Sequence, residues 1–461
     1  MAERAHISRR GFTRGLGAVA TTGLFAACRD KDPAETGDTG APPPDPAPDR
    51  DPEPDPWEPG LTEDGDAFPW GVVVGDPMAS SAEVGGRTAE TEALTVVLAV
   101  ADGDGWVEVA RVEGVEVLDT AFQTQLTGLE ADTAYSLYAR CADGARRSAV
   151  ARFRTAPDAA TPLRKIVLGA TSCFGGNWPF PCMGSAADAR LDLFLLLGDT
   201  VYADGASTLD EYRAFYELNL SSPTMRALFG SVGVVATWDD HEVDNNWTWD
   251  EVSVEKFEAA RAAYWEALPQ GRGEGGTGIW RLIPWGPSLD LIVLDSRGER
   301  RDGNYLSLEQ MAWLKATLSA STARFKLILN STPITDMTNW YGDAFVTDRW
   351  QGYAQREEIL SYLQENAIEG VLWVSGDHHL GMVNRVDPPG AAGASQWEVL
   401  TGPTGSRINV LGELLELDEQ FQMVVLAWNW TRFELDPNLG TATVTFIGDD
   451  GGALAEMTLQ L

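Results

Sequence analysis

The run Val232-Gly233-Val234-Val235-Ala236-Thr237-Trp238-Asp239-Asp240-His241-Glu242-Val243-Asp244-Asn245-Asn246-Trp247 joins two unlike textures. Its opening is apolar and β-branched with no helical period, which predicts a short buried strand. From Trp238 onward come four carboxylates, one imidazole and two amides, fenced by tryptophans. The whole chain holds only four histidines, so one inside an acidic cluster is informative. Such a cluster lies where a strand ends, and in open α/β sheets ligands bind at that end. Carboxylate, amide and imidazole donors suit a hard or borderline cation, and the imidazole can alternatively carry protons.

The neighbouring sequence repeats the arrangement. Residues 165–170, 193–197, 289–294, 325–329 and 371–374 read as buried strands, and residues 255–268, 307–319 and 355–365 place apolar side chains at helical spacing. This alternation predicts an α/β fold with sheet layers covered by helices. Behind the strands stand Thr171-Ser172-Cys173, Gly198-Asp199-Thr200-Val201-Tyr202, Asp295-Ser296-Arg297, Asn330-Ser331-Thr332 and Ser375-Gly376-Asp377-His378-His379. Donors delivered by six strand ends to one rim suggest a binuclear metal site, whose ions lie about 3.5–4 Å apart and clamp a phosphoryl oxygen.

With 461 residues the chain exceeds one ordinary core. Its formal net charge of −35 argues against a nucleic-acid backbone as partner, which needs a basic face. Residues 1–28 read as an export signal: Ser8-Arg9-Arg10-Gly11-Phe12-Thr13 is a twin-arginine signature, and Leu24-Phe25-Ala26-Ala27-Cys28 looks like a lipobox. Phe25 is unusual there, so the segment reads either as a lipidation site at Cys28 or as plain cleavage. Residues 29–66, dense in Pro, Asp and Glu, read as a disordered, self-repelling tether. The expectation is an exported, periplasmic or cell-surface monomer whose membrane contact is a lipid at Cys28. Short alternating runs between turns across residues 67–157 predict a small β-sandwich. There, Leu126-Thr127-Gly128-Leu129-Glu130-Ala131-Asp132-Thr133-Ala134-Tyr135 resembles the approach to a tyrosine corner in fibronectin type III-like domains.

Residues 163–461 carry the chemistry. The strings Gly198-Asp199-x-x-Tyr202, Trp238-Asp239-Asp240-His241-Glu242-Val243-x-Asn245-Asn246-Trp247, Leu294-Asp295-Ser296-Arg297 and Ser375-Gly376-Asp377-x-His379 resemble those of the PhoD-like alkaline phosphatases and phosphodiesterases, within the calcineurin-like metallophosphatase superfamily. The likeness covers about residues 68–450. Phe68-Pro69-Trp70-Gly71-Val72-Val73-Val74-Gly75-Asp76-Pro77 resembles the opening of that family's N-terminal domain, with Val74 in place of the usual Ser. The resemblance implies a four-layer sandwich, two sheets flanked by helices. It also implies hydrolysis of small phosphate monoesters or diesters by a metal-bound hydroxide. The implied cofactors are Fe(III) with one or two Ca(II), or other divalent metals. Cys173, Tyr202 and His379 would serve iron and Asp199 would bridge. Asp240 or Asn245, with Asn246 and Asp377, would serve calcium. His241 would orient substrate or protonate the leaving group. Arg297 would either fork onto phosphate or pair with Asp295.

Plainer readings stand beside these. Cys173 either ligates or forms a disulfide with Cys182, while Cys141 has no assigned role. His378 reads as a neighbour of the site, Glu242 and Asp244 as supporting or surface charges, and Asn330 as a backbone cap or a ligand. Trp247 and Trp249 either pack the core or line a substrate cleft. The loop of residues 174–183 is expected to narrow access to the site or to meet an apolar part of a substrate. Two alternatives remain open: a non-catalytic cell-surface protein keeping the fold and a metal, and a phospholipase D-like phosphodiesterase.

Overall fold

The structure, a computed structural model, describes residues 54–273, 275–341 and 348–461. The twin-arginine run, Cys28 and the tether up to residue 53 lie outside the described residues.

Two large sheets face one another. The first is ten-stranded, in the order Ala453–Gln460, Thr441–Gly448, Asn429–Asp436, Ile166–Thr171, Leu193–Leu197, Val234–Thr237, Val73–Gly75, Ser81–Arg87, Ala121–Thr127, Val117–Leu118. The second is seven-stranded, in the order Arg281–Trp285, Leu289–Val293, Phe325–Leu329, Val371–Ser375, Trp397–Leu400, Gly381–Arg385, Phe421–Val425. Within each sheet the strands that lead to the candidate donors run parallel. Such strands are covered on both faces, which is why they read as unbroken apolar runs.

The two-residue period of a strand sorts these side chains between layers. Ile166, Leu168, Ala170, Leu193, Leu195 and Leu197 point inward, against Leu289, Leu291, Val293, Leu327, Leu329 and Val374 of the facing sheet. Val167, Phe194 and Leu196 point outward, under helices Pro181–Ala187, Leu209–Leu220, Pro223–Ser231 and Val254–Ala267. On the far side Ile292, Ile328 and Trp373 meet Leu308–Ala320 and Ala354–Glu365. The order of layers is helix, sheet, sheet, helix. Thr208, Ser222, Ser253 and Ser307 start four of the helices by accepting a backbone N–H three residues on.

The segment expected to be a separate sandwich is joined to the rest. Its six-stranded sheet packs through Phe68, Val84, Val96, Phe122, Leu137 and Phe153 onto strands of the ten-stranded sheet. Val73–Gly75 pairs in parallel with Val234–Thr237, so one of its layers continues the ten-stranded sheet. The open edge of Val234–Thr237 needed a partner, and the N-terminal strand supplies it. The Tyr135 phenol accepts from the Glu130 N–H at 2.9 Å. The folded body also begins earlier than the tether reading implies. Trp57 packs on Tyr138 at 5.1 Å, and Thr62–Glu63 pairs with Arg146–Arg147. A tryptophan gives this acidic segment enough area to bury.

The seam between the two regions is locked by a buried ion pair. Arg281 forks onto Asp76 at 2.7 and 2.8 Å and donates to the Ala236 carbonyl at 3.1 Å. The approach is tight, since a Cβ on Gly75 would lie 1.6 Å from the Pro269 carbonyl oxygen. Removing one partner of such a pair strands the other charge, so Arg281→Ala should lower unfolding free energy by about 3–5 kcal/mol in chemical denaturation. The double variant Arg281→Met/Asp76→Asn should recover part of that loss.

Candidate metal centre

The donors meet above the C-terminal ends of the parallel strands. Cys173, Asp199 and His379 place ligand atoms within 4.8 Å of one another, and so do Asp199, Asp239, Asp240 and Asp377. A third set joins Asp199 and Asp240 to His241. Asp199 belongs to all three. Tyr202 stands beside the first set, its hydroxyl 3.1 Å from Asp199 Oδ2 and 3.0 Å from His379 Nε2.

Holding these side chains together strains the backbone. Cys173, Asp199, Asn246, Asp377 and His379 all take left-handed φ, between 51° and 66°. For residues other than glycine that region costs roughly 1–3 kcal/mol each and persists only where surroundings enforce it. The enforcing contacts are visible. Glu242, fully buried, accepts from the Asp199, Thr200 and Asp239 N–H groups at 2.9, 2.6 and 2.8 Å. One carboxylate thus ties two donor loops together. The Cys173 carbonyl accepts from the Gly405 and Ser406 N–H groups, both at 3.0 Å. Ser406 Oγ in turn donates to the Tyr202 hydroxyl at 2.5 Å.

Electrostatics explain what the cluster requires. Asp199 Oδ1, Asp239 Oδ2, Asp240 Oδ1 and Asp377 Oδ2 are buried without a hydrogen-bond partner. Burial pushes the Asp199 and Asp377 carboxyls well above the usual range, and carboxylate neighbours add to the shift. Burial likewise raises the Cys173 thiol and the Tyr202 phenol, with Asp199 contributing next. Burial pushes His379 down to about 4, so it offers a neutral imidazole. Thiol and phenol become anionic ligands when a cation replaces their protons. Four orphaned oxygens, a thiol, a phenol and a neutral imidazole form a donor set that fits cation binding.

His241 is tied more closely to this cluster than the sequence suggests. Its ring stacks on Tyr202 at 3.9 Å and its Nδ1 lies 2.8 Å from Asp204 Oδ1. Burial disfavours its charge, but Asp199, Asp204 and Asp240 outweigh that and hold it up at about 10. Above the cluster opens a cleft of about 310 Å³, lined by Asp240, His241, Asn246, Asp377, His379 and Arg407 among others.

Likeness to known proteins agrees with this geometry. A family model described as PhoD-like phosphatase matches residues 168–429. The chain belongs to the PhoD-like phosphatase family. It is 26% identical over 381 residues to alkaline phosphatase D of Bacillus subtilis (strain 168), an alignment covering 68% of this chain and 64% of that protein's length. In fold it resembles a solved PhoD structure, with TM-score 0.73 and 22% identity over 85% of this chain and 89% of that one. It also resembles the purple acid phosphatase PPD1 from yellow lupin (Lupinus luteus) seeds, with TM-score 0.61 and 11% identity over 85% of this chain and 74% of that one.

Several sequence expectations change. Arg297 is buried and takes neither expected position. Its guanidinium donates to Asp239 and lies 3.3, 3.6 and 3.8 Å from Asp348, Asp240 and Asp377, while Asp295 accepts only from its backbone. It lies among carboxylates beneath the cleft and is absent from the cleft lining. Cys173 and Cys182 are free thiols, which excludes the disulfide. Cys182 lies against Thr404. Asn246 stands in the cluster, its amide 2.5 Å from Asp348 and 3.2 Å from Asp240, whereas Asn245 is exposed on the cleft rim. His378 is buried against the Asp348 carbonyl and Asn330 caps Thr332. The loop of residues 174–183 is absent from the cleft lining. Gly175 and Asn177 bond to the segment around Gly405 and Ser406, and Trp178 to the Leu218 carbonyl. Trp247 and Trp249 pack on Phe257, away from the donors.

Glu242→Gln turns an amide N–H toward N–H donors, with a cost of about 1–3 kcal/mol for each donor left unsatisfied. The variant should melt lower and bind fewer cations per chain. Asp244→Asn, which alters a salt bridge to the surface-lying Lys256, should do neither.

Proposed function

We propose that this chain is an exported phosphoesterase that hydrolyses small phosphate monoesters or diesters with an iron(III) and a calcium ion bound in the cleft. The observation that carries the reading is the sharing of Asp199 between two donor sets of different chemistry. Cys173, Tyr202 and His379 would hold iron, because thiolate, phenolate and imidazole suit a borderline, oxidising cation. Asp240, Asn246 and Asp377, with Asn245 at the rim, would hold calcium, because oxygen donors suit a hard one. Such ions polarise phosphoryl oxygens and lower the pKa of water.

The chain's own residues supply the rest. Asp204 fixes the His241 ring through Nδ1, leaving Nε2 to donate a proton to the departing alkoxide. Cations on Asp199 and Asp240 would weaken those carboxylates' hold on the His241 proton, and the Asp204 contact would keep the acid form within reach. Arg297 balances the floor of the site, and Ser406 and Glu242 keep Tyr202 and Asp199 in place. The twin-arginine run and Cys28 support export and a lipid anchor. Among the described residues no helix is long and apolar enough to cross a membrane.

Elemental analysis of the purified chain should find iron and calcium, and Asp199→Ala should lose both together with hydrolysis of aryl phosphate and bis-aryl phosphate. A wild-type protein that stays inactive after loading would instead favour a non-catalytic metal-binding role. His241→Ala should lower kcat by roughly 10²–10⁴-fold on alkyl esters and much less on nitrophenyl esters, whose leaving groups need no proton. Equal losses on both would assign His241 to the metal. Release of choline without inorganic phosphate from a choline phospholipid would identify a phospholipase D-like activity.

A further inference from the structure

We propose that Arg407 is the substrate-positioning residue of this cleft, its guanidinium closing on the phosphoryl oxygens of the bound ester; this rests on the phosphoesterase reading above. The residue lies in Thr401-Gly402-Pro403-Thr404-Gly405-Ser406-Arg407-Ile408-Asn409, the segment that leaves strand Trp397–Leu400 and crosses the candidate ligands.

The backbone of this segment is fixed against the site at every step. The Thr404 N–H donates to the Ser172 carbonyl, and the Gly405 and Ser406 N–H groups donate to the Cys173 carbonyl, all at 3.0 Å. Ser406 holds the Tyr202 hydroxyl, and the Arg407 backbone lies against the His379 ring. Asn409 donates from its N–H to the His379 carbonyl and from its amide to the His378 carbonyl, each at 3.0 Å. Close approach is enforced at Gly402, where a Cβ would lie 2.9 Å from the Ser172 carbonyl oxygen. The segment is therefore a strap, registered on the backbone of residues that would bind the ions and on the Tyr202 hydroxyl.

The Arg407 side chain behaves differently from its backbone. It is exposed, and among the described residues its guanidinium has no hydrogen bond or ion pair. It is also the single arginine or lysine among the described residues lining the cleft. Arg297, which lies beneath the cleft, is buried and surrounded by four carboxylates. An anionic ester approaching a chain of net charge −35 meets repulsion over most of the surface. A cation at the mouth draws it in, and the planar fork of arginine matches two phosphoryl oxygens where lysine offers a point charge. An unpaired long side chain rising from a fixed base can swing onto such a ligand without displacing anything.

The test compares wild type, Arg407→Ala and Arg407→Lys in the full chain loaded with iron and calcium. Inorganic phosphate is titrated by calorimetry, and KM and kcat are measured with an aryl phosphate. Hydrogen bonds to a charged partner predict that Arg407→Ala weakens phosphate binding and raises KM by about 10–100-fold, with a smaller change in kcat. Arg407→Lys should recover part of both, and metal content should match wild type in each variant. Phosphate binding unchanged in Arg407→Ala overturns the proposal. So does loss of metal from that variant with the remaining loaded sites binding phosphate normally, because Arg407 would then serve only the strap. A wild type that neither binds phosphate nor turns over ester defeats the phosphoesterase reading and this proposal with it; an active wild type beside an indifferent Arg407→Ala defeats this proposal alone.

Discussion

Four carboxylates within a few ångströms of one another, the buried Asp199, Asp239 and Asp240 and the partly buried Asp377, are the constraint from which the rest of the site follows. Two like charges at about 4 Å repel by roughly 4 kcal/mol even at an effective dielectric of 20. One guanidinium, Arg297, lies among them, and its Nε engages Asp239 directly. Together with the His241 imidazolium, this sets two positive charges against four negative ones. The remainder is met by keeping protons on Asp199 and Asp377, as their raised pKa values indicate, or by bound cations. The left-handed backbone at five candidate ligands is a second cost of the same arrangement, and it explains why so many buried hydrogen bonds converge on these loops.

Much of this was legible in the sequence because strands and loops obey different rules. A parallel strand covered on both faces must be apolar along its whole length, so residues 193–197 and 325–329 announce themselves. Donors such as Asp199 and Asp377 then stand out at the point where the apolar run stops. Three helices were equally readable, two of which, Val254–Ala267 and Leu308–Ala320, start at Ser caps, whereas Leu209–Leu220 and Pro223–Ser231 were not read from the sequence.

What escaped the sequence depends on three-dimensional partners. Glu242 reads in its acidic string as a supporting or a surface charge, and only the folded loops show three N–H groups aimed at it. Arg297 follows a strand like a ligand, yet the guanidinium turns inward because the carboxylates beneath it are the stronger attraction. The strap from Thr401 to Asn409 did leave a signal: the apolar run Trp397-Glu398-Val399-Leu400 ends in a Gly- and Pro-rich turn. Glu398 breaks that run. In the structure it is fully buried and accepts from the Ile334 and Thr335 N–H groups and from Ser375, so a charged letter conceals a core strand. The shared sheet was hidden for another reason: Val73–Gly75 is three residues long, too short for any period to be read.

The position of the donors in the two sheets carries a consequence for stability. Cys173, Asp199, Tyr202, Asp240 and His241 follow strands of the ten-stranded sheet, while Arg297, Asp377, His379 and Ser406 follow strands of the seven-stranded one. Each donor set that excludes His241 draws on both: His379 joins Cys173 and Asp199, and Asp377 joins Asp199, Asp239 and Asp240. An ion in either set would therefore bind across the seam between the two layers. Elsewhere that seam is held by non-directional packing of Leu, Val and Phe. Ligation that spans it would couple the sheets at one end by directional bonds, and binding free energy would become folding free energy. The bare cluster, with its repulsion and its strained loops, would then be held less strongly than the same cluster with cations bound.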